Sequence, residues 1–81
     1  MVAAPLPREQ RALATAVRVL RARTAQTQAE VLDAAGLSRN FLTKLEHGKG
    51  NPNFGSLIRL ANALDVSFTE LARTYDDQLE D

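Results

Sequence analysis

The stretch Thr27-Gln-Ala-Glu-Val-Leu-Asp-Ala-Ala-Gly-Leu-Ser-Arg-Asn-Phe-Leu-Thr-Lys-Leu-Glu46 carries the signals of two short helices and a tight turn between them. Thr27-x-x-Glu30 is a capping box: the hydroxyl accepts the free N–H of Glu30, and that carboxylate accepts the N–H of Thr27. Gly36 ends the first of the two helices, since glycine enters the left-handed region without steric cost. Ser38 offers the next N-cap, and Leu37 and Leu42, one residue before it and four after, are spaced as a hydrophobic staple. Val31, Leu32 and Ala35, then Leu37, Leu42 and Leu45, recur at helical spacing and are expected to face inward. Arg39, Asn40, Thr43 and Lys44 are left on the outer side.

A capped helix, three residues pivoting on glycine and a second capped helix make the helix-turn-helix design, whose second helix lies in the DNA major groove. The outward residue types suit that role: Arg or Lys bonds guanine, Asn bonds adenine, and Thr meets a thymine methyl or a polar edge. A polar outer face by itself signifies no more than solvation. The combination of two caps, a glycine turn and these four side chains is what points to base reading.

Gln28 with Gly36 eight positions later, the apolar position Leu42, and Glu46-x-Gly48-x-x-x-Pro52 resemble the Cro/lambda-repressor-type helix-turn-helix regulators, the XRE family. The resemblance spans roughly Leu13 to Leu71. It implies an all-α fold, a compact five-helix, lambda-repressor-like DNA-binding domain, and work as a transcriptional repressor or autoregulator. It implies that an Arg late in the first helix pairs with the Glu ending the recognition helix, here Arg21 and Glu46. It also implies that Gln28 contacts the DNA backbone, where free N–H groups and the positive end of the helix dipole favour a phosphate. The chain departs from the family pattern at Leu32, where Ala is usual.

Eighty-one residues suit one domain, able to bury about 60% of its unfolded surface. Hydrophobic residues make up 44%, and Phe41, Phe54, Phe68 and Tyr75 are the only aromatics, so the expected core is Leu, Val and Ala. With no Cys, neither a disulfide nor a cysteine metal site can staple the fold. No stretch resembles a signal peptide or reaches the 18 apolar residues of a membrane span, so a soluble cytoplasmic protein is expected. The net charge is zero but polarised. Residues 1–49 hold eight basic and four acidic side chains, +4, and residues 50–81 hold two and six, −4. A basic half bearing the motif and an acidic end suit DNA on one side only.

Residues 1–7, with two prolines, are expected to be a flexible lead-in, 8–75 the domain and 76–81 an acidic, fraying tail. Leu13, Val17 and Leu20 mark a first helix from about Pro7 to Arg23; its basic residues other than Arg21 are a solvated face. After Glu46, Gly48 can end the recognition helix, and Lys49 with the amides of Gly50 and Asn51 can clamp a phosphate. His47 is the only histidine and has no partners for catalysis or metal binding. Asn53 caps a fourth helix with the inner face Phe54, Leu57, Ile58, Ala61 and Leu64, and Asp65 follows where a left-handed residue is needed. Ser67-x-x-Glu70 is a second capping box, stapled by Val66 and Leu71, that opens a fifth helix reaching Tyr75.

The expected function is sequence-specific binding of double-stranded DNA at a (pseudo)palindromic operator by a homodimer, with half-sites about 34 Å apart. Arg39, Asn40, Thr43 and Lys44 would read bases, and Gln28, Lys49 and Asn51 would hold phosphates. Leu60, Leu71, Tyr75 and Leu79 are the apolar candidates for the dimer surface, although Leu71 suits the core equally. The rival is a protein-interaction module, such as an antitoxin or a transcription adaptor, which the near-neutral charge and acidic tail favour slightly. An enzyme is not expected: one His, no Cys and no paired acid and base stand in any recognisable frame. No cofactor, metal, membrane or small-molecule ligand is called for.

Overall fold

The computed structural model describes residues 7–49 and 51–79, the side chains of Gln28, Leu32, Ala34 and Ala35 excepted. Five helices follow in order: α1 (Pro7–Arg23), α2 (Gln28–Ala35), α3 (Arg39–Glu46), α4 (Phe54–Ala63) and α5 (Phe68–Leu79). No strand occurs among the described residues. The all-α, five-helix expectation is met, and α2 and α3 occupy the stretch that predicted them.

Side-chain caps start the helices. Thr27 Oγ1 accepts the Glu30 N–H at 3.1 Å and the Glu30 carboxylate accepts the Thr27 N–H at 2.9 Å, the full capping box. The bond to the Thr27 amide, then that to its hydroxyl, holds Glu30 below the usual carboxylate range. Ser38 Oγ accepts from Phe41 N–H at 3.1 Å and Asn53 Oδ1 from Ser56 N–H at 2.8 Å. Ser67 Oγ likewise accepts from Glu70 N–H at 3.0 Å. The Glu70 carboxylate, however, turns to Arg23 Nη1 at 3.4 Å, so the second box forms by half.

Three helices end in the same paired closure, in which one residue turns left-handed and two amides reach back to the last free carbonyls. After α1, Ala25 (φ 57°) donates to Ala22 O and Gln26 to Arg21 O, each at 3.1 Å. After α3, Gly48 (φ 75°) donates to Leu45 O at 3.1 Å and Lys49 to Lys44 O at 2.9 Å. After α4, Asp65 (φ 59°) donates to Asn62 O at 3.1 Å and Val66 to Ala61 O at 3.0 Å. Gly36, at φ 66°, turns the chain after α2 as expected. Asp65 takes the predicted left-handed role; Ala25 does so without any sequence signal.

α1 packs against both α3 and α5, α2 against α3 and α4, and α4 against α5. Every helix sends aliphatic side chains to one core: Val17 and Leu20, Val31, Leu42 and Leu45, Leu60, and Leu71, with Leu64 from the α4 cap. Leu13, Leu37, Phe41, Leu57 and Val66 pack against its margin. Ala12, Ala14 and Ala16 are buried as well, which lets α1 lie between two neighbours. The sequence stripe Leu13, Val17, Leu20 accounted for one of those sides.

Several expectations need correction. Leu60 and Leu71, at 0% and 2% exposure, fill the core of a single chain and are not available as dimer contacts. Conversely Phe54, expected on the inner face of α4, is 67% exposed, and Phe68 is 39% exposed. Both stand at the first turn of their helices, beyond the reach of the packed interior. α5 also runs past Tyr75 to Leu79, where the carbonyl accepts from Arg8 Nη2 at 2.5 Å; the start of α1 seals its end. The inward placement expected of Leu32 and Ala35 falls on side chains outside the described residues.

Ala25 holds a conformation that costs an L-residue about 1–2 kcal/mol. Ala25→Gly should therefore stabilise the fold by about 0.5–1 kcal/mol after the added unfolded-state entropy, raising Tm by about 4 °C in a thermal melt. A lower Tm would mean that the backbone there carries no strain.

Candidate nucleic-acid interface

α3 is anchored on one side and bare on the other. Leu42 and Leu45 are buried and Phe41 is half-buried, while Arg39, Asn40 and Lys44 are exposed. Thr43 is half-buried, at the border between the two faces. None of the three exposed side chains is committed to a hydrogen bond or ion pair with another described residue. The outer face thus presents a guanidinium, an amide and an ammonium with their donors and acceptors free.

What orients this face is the end of the helix. The Glu46 side chain is 5% exposed, a negative charge at the negative end of the α3 dipole. Arg21 reaches across from α1 and closes a fork on it, Nη2 to Oε1 at 2.9 Å and Nε to Oε2 at 3.2 Å. The predicted pair is present, in the two-bond geometry that only a guanidinium supplies. Arg18, one turn earlier, donates through Nη2 to the Glu46 carbonyl. Two arginines of α1 therefore hold one residue of α3, one by its side chain and the other by its backbone. Sequence reading left Arg18 in a solvated face, though its i, i+3 spacing from Arg21 places both on one side of α1.

The turn before α2 is clipped just as firmly. Arg21 Nη1 donates to Gln26 O at 3.4 Å, and Gln26 Nε2 donates to Ala63 O at 2.8 Å, tying the α1–α2 turn to the end of α4. The Thr24 hydroxyl lies 2.7 Å from Gln26 Oε1, fixing the amide. Nothing in the composition of this turn marked Gln26 in advance.

Of the expected phosphate contacts, Lys49 and Asn51 are exposed on the loop after α3, as is His47. Gly50 and the side chain of Gln28 lie outside the described residues. The loop backbone crosses α1 closely: a Cβ added at Gly48 would stand 3.3 Å from Arg11 Cγ and 3.6 Å from its Cα. Gly48 is thus needed twice, for its φ of 75° and for that approach.

Among the dimer candidates, Tyr75 and Leu79 are half-buried. Partial burial, then the charges of Glu9 and Asp76, push the Tyr75 phenol up. The exposed apolar feature is a different one. The rings of Phe54 and Phe68 meet edge to face, centroids 5.5 Å apart and planes at 68°.

Comparison with known proteins agrees with this arrangement. Residues 19–71 match the model of a family described as helix-turn-helix. The chain is 41% identical over 58 residues to an uncharacterised HTH-type transcriptional regulator of Sinorhizobium fredii, covering 72% of this chain and 75% of that one. It is 39% identical over 46 residues to a cryptic-phage transcriptional repressor of Vibrio cholerae, covering 57% of this chain and 41% of the repressor. The crystal structure of the clp gene regulator ClgR from Corynebacterium glutamicum superposes with a TM-score of 0.83 at 25% identity, covering 89% of this chain and 77% of that one.

Removing Arg21 strands a carboxylate that has little water to turn to. Arg21→Ala should destabilise the fold by about 2–3 kcal/mol, seen as a Tm drop of at least about 8 °C. Arg21→Met combined with Glu46→Leu should recover most of that loss, because neither charge is then left alone. A single mutant melting like the wild type would show that the fork carries no stability.

Proposed function

The chain belongs to the helix-turn-helix family of DNA-binding transcriptional regulators, and on that basis we propose that it acts as a homodimer at a (pseudo)palindromic operator. α3 lies in the major groove, and Arg39, Asn40 and Lys44 bond base edges, with Thr43 at the margin of the contact. Gln28 at the start of α2, with Lys49 and Asn51 after α3, hold phosphates and set the register. Occupancy of the operator then represses, or autoregulates, the adjoining promoter. The observation that carries this reading is the division of α3: buried Leu42, Leu45 and Glu46 fix the helix while Arg39, Asn40 and Lys44 stay exposed and uncommitted among the described residues.

The Phe54–Phe68 pair supports the homodimer and replaces the leucines as its surface. Two aromatic rings left to water on so small a chain make an anchor of the kind that partners cover. A second copy is the occupant because one module reads half a site, and a two-fold axis brings the same patch onto itself.

Arg39→Ala or Asn40→Ala should cost about 1–3 kcal/mol in binding and relax preference at one base position, measured on duplexes selected from a random pool. Lys49→Ala should weaken every sequence alike. Identical behaviour of the two kinds of mutant would remove the division between base and phosphate contacts. Phe54→Ser with Phe68→Ser should turn a sedimenting dimer into a monomer while the melt stays cooperative; an unchanged sedimentation coefficient would place the pairing elsewhere.

A further inference from the structure

The two ends of α1 do different work. At its start, Arg8 donates to the Leu79 carbonyl of α5, and the charge of Glu9 acts on Tyr75, also in α5. Farther along, Arg11 and Arg18 stand seven residues and two turns apart, so they share a face about 10 Å long. That face borders the end of α3. Arg18 touches the Glu46 carbonyl there, and the Gly48 backbone lies against the Cγ and Cα of Arg11. Lys49, next in the chain, is exposed beside them.

From these contacts we propose that Arg11 and Arg18 join Lys49 in a second row of DNA-phosphate contacts. The row runs along α1 beside the C-terminal end of the recognition helix, and it rests on the groove-binding reading above. Arg11 is exposed and pairs with no described carboxylate. Glu46, the acid at this edge, already has its charge matched by Arg21. Three cations gathered on one border repel one another in the free protein, and a line of phosphates removes that repulsion. One Nη of Arg18 is occupied by the Glu46 carbonyl, which holds its remaining donors at the border. Phosphate bound there would touch the groups that fix α3, so the same contact that adds affinity also seats the recognition helix. The footprint on DNA then extends from the helix-turn-helix onto α1, beyond the clamp of Gln28, Lys49 and Asn51.

The test is salt dependence, measured by fluorescence anisotropy on a labelled duplex selected from a random pool and on its scrambled counterpart. The full chain should lose affinity linearly in log Kd against log salt. Arg11→Gln should make that slope shallower by about 0.9 per protomer, about 1.8 for a bound dimer, and weaken both duplexes by the same factor, with Tm unchanged. Arg18→Lys should keep the slope, and Arg18→Gln should lower it. Arg73→Gln removes the same charge from the exposed face of α5 and should leave the slope as it was. A wild-type slope in Arg11→Gln, or an equal loss in Arg73→Gln, overturns the α1 row while leaving the groove reading standing. Wild-type protein that binds neither duplex overturns both.

Discussion

Glu46 sits at the negative end of a helix dipole and is almost wholly out of water, and each condition raises the cost of its charge. The fold meets that cost with Arg21, whose fork satisfies both carboxylate oxygens, and with Arg18 on the carbonyl of the same residue. Because both arginines belong to α1, the roll and height of α3 are set against a helix buried between two neighbours. A leucine at position 46 would fill the space, but it would not fix an angle. The directional bonds are what turn a generic buried helix face into a defined presentation of Arg39, Asn40 and Lys44.

Around that pair, short-range chemistry sets where each helix starts and stops. Oxygen-bearing side chains at Thr27, Ser38, Asn53 and Ser67 take up first-turn amides, and left-handed residues at Ala25, Gly48 and Asp65 return the last carbonyls to the chain. Of these, Ala25 is the residue least suited to the conformation, whereas Asp65 tolerates it. The core itself is aliphatic and owes its cohesion to Leu, Val and small Ala contacts around α1.

Much of this was legible in the sequence because caps and turns are local. The Thr27 box, the Ser38 and Asn53 caps, Gly36 and the left-handed Asp65 each need only a few neighbouring residues to be recognised. The Arg21–Glu46 pair joins positions 25 apart and was reached through the family resemblance. What could not be read depends on which element covers which. The residue types showed Phe54, Leu60, Phe68 and Leu71 to be apolar, but not that the two leucines lie under neighbouring helices while the two phenylalanines stand at the uncovered first positions of theirs. The extension of α5 to Leu79 needed Arg8, seventy-one positions away, and Gln26 owes its place to the end of α4. Contacts of that range leave no trace in spacing.

The position of α1 has a mechanical consequence. Its early residues hold the far end of α5, its middle lies in the core, and Arg18 and Arg21 near its end grip α3. It joins the end of α5, in the acidic half, to the C-terminal end of α3 as one continuous helix. A load placed on the far end of α5 therefore reaches the end of α3 along one unbroken helix and not through a loop.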